Sequence, residues 1–116
     1  MSEVTLYHNP RCSKSRQTLA LLEERGIEPR VIEYLKTPSD AATITSLIDK
    51  LGIRAIDLVR RREAPFVELG LADRAEDDAA LIEAMVSHPV LIERPIVVAG
   101  DRARIGRPPE NVLEII

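Results

Sequence analysis

The apolar positions change period along the chain, and each change marks an element. Val4-Thr5-Leu6-Tyr7 is a short apolar run that reads as a buried strand. Asn9-Pro10 turns the chain. A helix opens after Cys12, with Leu19, Ala20 and Leu22 on one side and Gly26 as its stop. Pro29 then introduces Arg30-Val31-Ile32-Glu33-Tyr34, a β-branched and aromatic run that reads as a second strand. Strand, helix and strand within about 30 residues make a βαβ unit, whose strands are parallel.

Helical spacing then takes over. Thr37-Pro38-Ser39-Asp40 reads as a helix start with Ser39 as N-cap. Ile44, Leu47, Ile48 and Leu51 follow on one face, and Gly52 ends the helix. A short helix is expected over Ala55 to Arg61, and one more turn over Pro65 to Leu69. Asp77 or Asp78 starts another helix, with Leu81, Ile82, Met85 and Val86 as its stripe and His88-Pro89 as its stop. Residues 37 to 92 carry no strand signal and read as an all-helical insertion; the acidic stretch from 73 to 83 reads as a solvated face. Strand character returns at Ile96-Val97-Val98. Gly100-Asp101 turns the chain into Ala103-Arg104-Ile105, which makes an antiparallel hairpin. Pro108-Pro109 opens a last helix, with Val112, Leu113, Ile115 and Ile116 as its apolar face. The order βαβ, helices, ββα predicts an α/β fold: a mixed four-stranded sheet with helices on its faces and an inserted helical segment. A single domain over residues 1–116 is expected, with the insertion at about 37–92.

Composition narrows the function. The chain is 45% apolar but only 3% aromatic and lacks Trp, so its core is aliphatic. A net charge of −3 gives no case for nucleic-acid binding. No apolar run approaches the roughly 18 residues of a membrane helix. Met1-Ser2-Glu3 leads straight into the first strand without a signal peptide, so a cytoplasmic protein is expected. The single Cys cannot form an internal disulfide, so any second thiol comes from outside the chain.

That cysteine carries the strongest chemical signal. Cys12 sits at the bend between strand and helix, just past the carboxyl end of the first strand, where parallel α/β sheets place their ligands. Unpaired backbone N–H groups and the positive end of the helix dipole favour thiolate over thiol there. Arg11, Lys14 and Arg16 add cations with no acid between them. Flanked in this way, Cys12 is expected to be an accessible nucleophile or redox centre rather than an enclosed small hydrophobe. His8, four residues earlier, can act as base or orient the thiolate; it can equally be a strand-end histidine satisfied by backbone. Arginines stand at element ends: Arg60 to Arg62 after the short helix, Arg94 before the hairpin, Arg107 after it. A planar, permanently charged guanidinium suits bidentate binding of an oxyanion. His8, His88 and Cys12 lie too far apart to form a recognisable metal site.

With these residues in view the chain resembles the ArsC family of glutaredoxin-coupled arsenate reductases, which have a thioredoxin-like fold. The matching stretches are Tyr7-His8-Asn9-Pro10-Arg11-Cys12, Leu69-Gly70-Leu71-Ala72, Leu91-Ile92-Glu93-Arg94-Pro95-Ile96-Val97-Val98 and Gly106-Arg107-Pro108. They run from end to end. The resemblance implies that Cys12 attacks arsenate, that Arg60, Arg94 and Arg107 bind the oxyanion, and that glutathione and glutaredoxin supply the reducing thiols. It implies a role for His8 and Ser15 beside the thiol and a cis peptide bond at Pro95. It implies no bound cofactor, glutathione as co-substrate and a monomer. Arg61 is an alternative to Arg60. Ser13 and Lys14 stand where the plasmid-type reductases have Gly and Thr, and the chain stops just after its last helix, as in the shorter chromosomal branch. Two other readings share the fold. Spx-type proteins bind RNA polymerase and often carry Cys-x-x-Cys, but here the second position is Ser15. A monothiol glutathione-dependent reductase would keep Cys12 and change the substrate.

Overall fold

A computed structural model describes residues 3–116. The chain forms two compact units, one comprising residues up to Thr37 together with Arg94–Ile116, the other Pro38–Glu93.

The first unit is built on a four-stranded sheet. Strands β1 (Val4–Tyr7), β2 (Arg30–Ile32), β3 (Ile96–Ala99) and β4 (Arg102–Ile105) lie in the order β2-β1-β3-β4. β1 pairs parallel with β2 and antiparallel with β3, and β3 pairs antiparallel with β4. This is the mixed sheet that the βαβ and ββ patterns predict. The central strand β3 is buried at all four positions, as its unbroken apolar run requires. Helix α1 (Ser13–Glu24) and the C-terminal segment pack against the sheet through Leu6, Leu22, Val97 and Val112, each at 0% exposure. Val4, Leu19, Leu21, Ile27 and Ile115 surround that cluster.

The second unit is helical: α2 (Ala41–Leu51), α3 (Ala55–Leu58), α4 (Ala64–Glu68) and α5 (Asp78–Ser87), with 3-10 turns at Leu71–Arg74 and Pro89–Leu91. α5 packs on α2 and on α3. Ile44, Leu58, Leu81, Met85 and Leu91 are its most buried large side chains.

The local expectations fail at several places. Asp40, not Ser39, caps α2; its carboxylate accepts the Thr43 N–H at 2.8 Å. Both residues are good caps, and the helix takes the one whose oxygen reaches the third amide. The helix expected to reach Arg61 stops at Leu58, because Val59 is extended and bridges Ile92, while the Arg60 N–H donates to the Leu91 carbonyl at 2.7 Å. Arg60 to Arg62 therefore lie beyond the helix. β2 ends at Ile32, and Tyr34 is buried outside it. The last helix is 3-10 in form, Pro109–Glu114, and Ile116 is exposed. Ala20 is exposed as well; α1 buries Ser15, Thr18 and Leu22 instead.

That burial pattern is testable. Leu22→Ala should cost about 2–5 kcal/mol of stability in urea unfolding, whereas Ala20→Lys should stay within about 0.5 kcal/mol of the parent. A large loss for Ala20→Lys would place the buried face of α1 elsewhere.

Candidate active site

Strand register creates the site. Tyr7 pairs with Ile96, and Ile96 with Ile105, so the end of β1, the start of β3 and the end of β4 form one row. The residues just beyond that row are His8 to Cys12, Arg94-Pro95 and Gly106-Arg107. Three segments far apart in sequence thus converge on one sheet edge.

The loop between β1 and α1 is held by its own backbone. The His8 N–H donates to the Ile32 carbonyl at 2.8 Å, which ties the loop to β2. The Asn9 carbonyl accepts from the Cys12 N–H, and its side-chain Oδ1 accepts from the Arg11 N–H, both at 3.0 Å. Such Asx turns are what Asn before Pro favours. The Arg16 guanidinium reaches back to the Pro10 carbonyl at 2.9 Å. Cys12 is the N-cap of α1, and its carbonyl accepts the first helical bond, from the Arg16 N–H at 3.0 Å.

Cys12 is 7% exposed. It is thus enclosed, contrary to the expectation drawn from its charged neighbours. Arg11 and Ser13 do face solvent; Cys12 turns inward, where Arg107 meets it. Nη2 of Arg107 lies 3.5 Å from Sγ. Nε of the same guanidinium donates to the Arg94 carbonyl at 2.7 Å, and the Arg107 carbonyl accepts from Asn111 at 3.1 Å. A cation fixed at this distance can hold an oxyanion beside the sulfur. The Arg94–Pro95 and Arg107–Pro108 peptide bonds are both cis. Nε and Nη1 of Arg94 are shielded from solvent.

His8 and Ser15 form a buried pair, with His8 Nδ1 2.6 Å from the Ser15 hydroxyl. The same hydroxyl accepts from the Asn9 N–H at 3.0 Å. Ser15 is therefore joined to the loop that carries Cys12 through His8 and Asn9. Burial holds His8 below its ordinary value of 6.5, opposed by nearby Glu33 and reinforced by Arg16. The neutral ring can accept from Ser15 while the serine accepts from Asn9. His8, Arg11, Glu33 and Lys36 contribute to a cleft of about 320 Å³ beside the loop.

Arg60 belongs to the helical unit. It lies 3.6 Å from both Glu63 and Glu93, with its side chain 24% exposed, while Arg61 and Arg62 are exposed. Two carboxylates thus already balance the charge that an oxyanion would need. Gly106 enters the sequence reading only within Gly106-Arg107-Pro108 and Thr18 not at all; no local pattern announces that Thr18 stands against Gly106, where an added Cβ would lie 2.5 Å from its Oγ1. Among the described residues, no group of three or more His, Cys, Asp or Glu side chains could hold a metal ion.

The ArsC family pattern matches residues 7–115. The chain belongs to the ArsC family. It is 58% identical over 115 residues to the uncharacterized protein YfgD of Escherichia coli K12, covering 98% of this chain and 97% of that one. It is 47% identical to an arsenate reductase of Rhizobium meliloti, over 97% of this chain and 81% of the other. Among solved structures, an arsenate reductase from Vibrio cholerae superposes with a TM-score of 0.96 at 51% identity, covering 99% of this chain and 98% of that one. The fold is therefore the thioredoxin-like fold of ArsC proteins.

The His8 environment predicts a pH response. The unfolded chain takes up a proton near pH 6.5 and the folded chain only at lower pH. Stability is then complete above the unfolded value and falls as pH drops through it, levelling off below the folded value. Urea unfolding at pH 7.5 and 5.5 should show the loss, and His8→Asn, which keeps a partner for Ser15, should reduce it. An equal pH dependence in both proteins would remove His8 as its source.

Proposed function

We propose that this protein is an arsenate reductase in which Cys12 is the nucleophile and external thiols are the reductant. One observation carries the reading: the only cysteine of the chain lies at the N-cap of α1 with the Arg107 guanidinium 3.5 Å from its sulfur. Named arsenate reductases among its relatives support the choice of oxyanion.

The chemistry balances without a bound cofactor. The Cys12 thiolate attacks arsenic and displaces one arsenate oxygen as water, forming a sulfur–arsenic bond. Glutathione displaces a second oxygen in the same way. A glutaredoxin thiol then attacks the glutathione sulfur, and the electron pair of the broken bond returns to arsenic, reducing it from the +5 to the +3 state. Water releases arsenite from Cys12. Two external thiols end as a disulfide, and Cys12 is regenerated.

Arg107 supplies charge at the sulfur and at the oxygens during attack. Arg94 places its carbonyl under the Arg107 guanidinium and contributes a second cation from the same sheet edge. Arg60, in the helical unit, is held by Glu63 and Glu93. His8 and Ser15 position the loop and take part in moving the thiol proton. The reaction needs a compartment that keeps donor thiols reduced, which is the cytoplasm, and it needs only one copy of the chain.

A coupled assay with arsenate, glutathione, glutaredoxin, glutathione reductase and NADPH tests this reading. Cys12→Ser should abolish arsenate-dependent NADPH oxidation; turnover retained in that variant would refute the mechanism. Arg107→Ala and Arg94→Ala should each lower kcat/KM for arsenate by about tenfold or more, the worth of a charge-assisted hydrogen bond. Unchanged kinetics in both would make those arginines structural.

A further inference from the structure

Four of the five glycines, Gly26, Gly52, Gly70 and Gly100, adopt positive φ. Gly106 does not. It answers to a different constraint: a Cβ at this position would lie 2.5 Å from Thr18 Oγ1, 2.9 Å from Pro95 Cγ and 3.4 Å from Thr18 Cγ2. Neither neighbour can yield by rotating a flexible side chain. Thr18 is fully buried and β-branched, and its hydroxyl donates to the Lys14 carbonyl at 2.8 Å. The Pro95 contact is a ring atom. The Gly106 N–H donates to the Pro95 carbonyl at 2.9 Å, which pins the strand exit to the start of β3. A side chain here would force α1 and the end of β4 apart.

The two elements that meet at this point carry the two halves of the site. Cys12 caps α1 six residues before Thr18, and Arg107 is the residue after Gly106. We propose that Gly106 is a positioning residue: its missing side chain lets β4 approach α1 closely enough to place the Arg107 guanidinium on the Cys12 sulfur. Restoring ordinary contact to Thr18 Oγ1 requires the 2.5 Å approach to open to at least 3.4 Å. Movement on that scale carries Nη2 and Sγ, now 3.5 Å apart, beyond the reach of a hydrogen bond to sulfur. The inference rests on Cys12 and Arg107 as the reacting pair, but its test does not need arsenate.

Because the chain has one cysteine, alkylation reports on Cys12 alone. A cation at the sulfur speeds reaction with anionic iodoacetate more than with neutral iodoacetamide. The ratio of the two rates therefore measures the placement of Arg107, with Arg107→Ala as its lower limit. A merely loosened fold would raise both rates and leave the ratio high. Gly106→Ala should lower the ratio by about threefold or more, towards that limit, as loss of a charge-assisted contact requires. The double variant Gly106→Ala with Thr18→Ala removes both Thr18 atoms from the path of the new Cβ and leaves only the 2.9 Å Pro95 contact, so its ratio should rise clearly above the Arg107→Ala limit, towards that of Thr18→Ala alone. A folded Gly106→Ala protein with the parent ratio would overturn the proposal. So would a folded double variant that stays at the Arg107→Ala limit. If Gly106→Ala does not fold, the double variant decides alone, and its failure to fold as well would make Gly106 a residue of the fold rather than of the site. Arsenate turnover measured on the same proteins keeps the two readings apart: a parent with no turnover refutes the reductase assignment, while the alkylation ratios still decide the role of Gly106.

Discussion

The Arg107 guanidinium is gripped from both sides, by the Arg94 carbonyl at Nε and by the Cys12 sulfur at Nη2. Most of the first unit serves to keep those three groups together. The sheet register aligns the ends of β1, β3 and β4. The Leu6, Leu22, Val97 and Val112 cluster seats α1 against the sheet. A close packed interior transmits small changes of backbone position instead of absorbing them. The 3.5 Å contact between Arg107 and Cys12 depends on that stiffness.

The inner face of α1 makes the dependence plain. A helix that packs on a sheet normally presents aliphatic side chains, yet two of the three buried residues of α1 carry hydroxyls. Each hydroxyl is satisfied: Ser15 by His8 and Asn9, Thr18 by the Lys14 carbonyl. Buried polar groups that are fully paired fix one arrangement more sharply than apolar packing does. The first turn of α1 thus gives up hydrophobic burial for a defined loop geometry, and Leu22 and its neighbours anchor the helix further along.

Much of this was legible in the sequence. The strands, the hairpin and the βαβ unit announce themselves through local period and turn residues. Cys12, Arg94 and Arg107 stand at element ends, where a sequence pattern already places them near one sheet edge. The failures share a physical cause: they depend on partners distant in the chain. Val59 leaves the helical pattern because Ile92 pairs with it. Cys12 is enclosed because Arg107, 95 residues away, meets it, whatever its immediate neighbours suggest. Gly106 looks like an ordinary turn glycine until Thr18 is seen against it. Arg60 reads as a free cation until Glu63 and Glu93 are placed beside it.

The central claim is that Cys12 and Arg107 form one oxyanion-binding, nucleophilic site. The most direct measurement is the rate of Cys12 alkylation by iodoacetamide as arsenate is titrated in without any reducing thiol. Arsenate should slow the reaction saturably, and in Arg107→Ala the protection should need far more arsenate. An alkylation rate in the parent protein that does not respond to arsenate at any concentration would contradict the account.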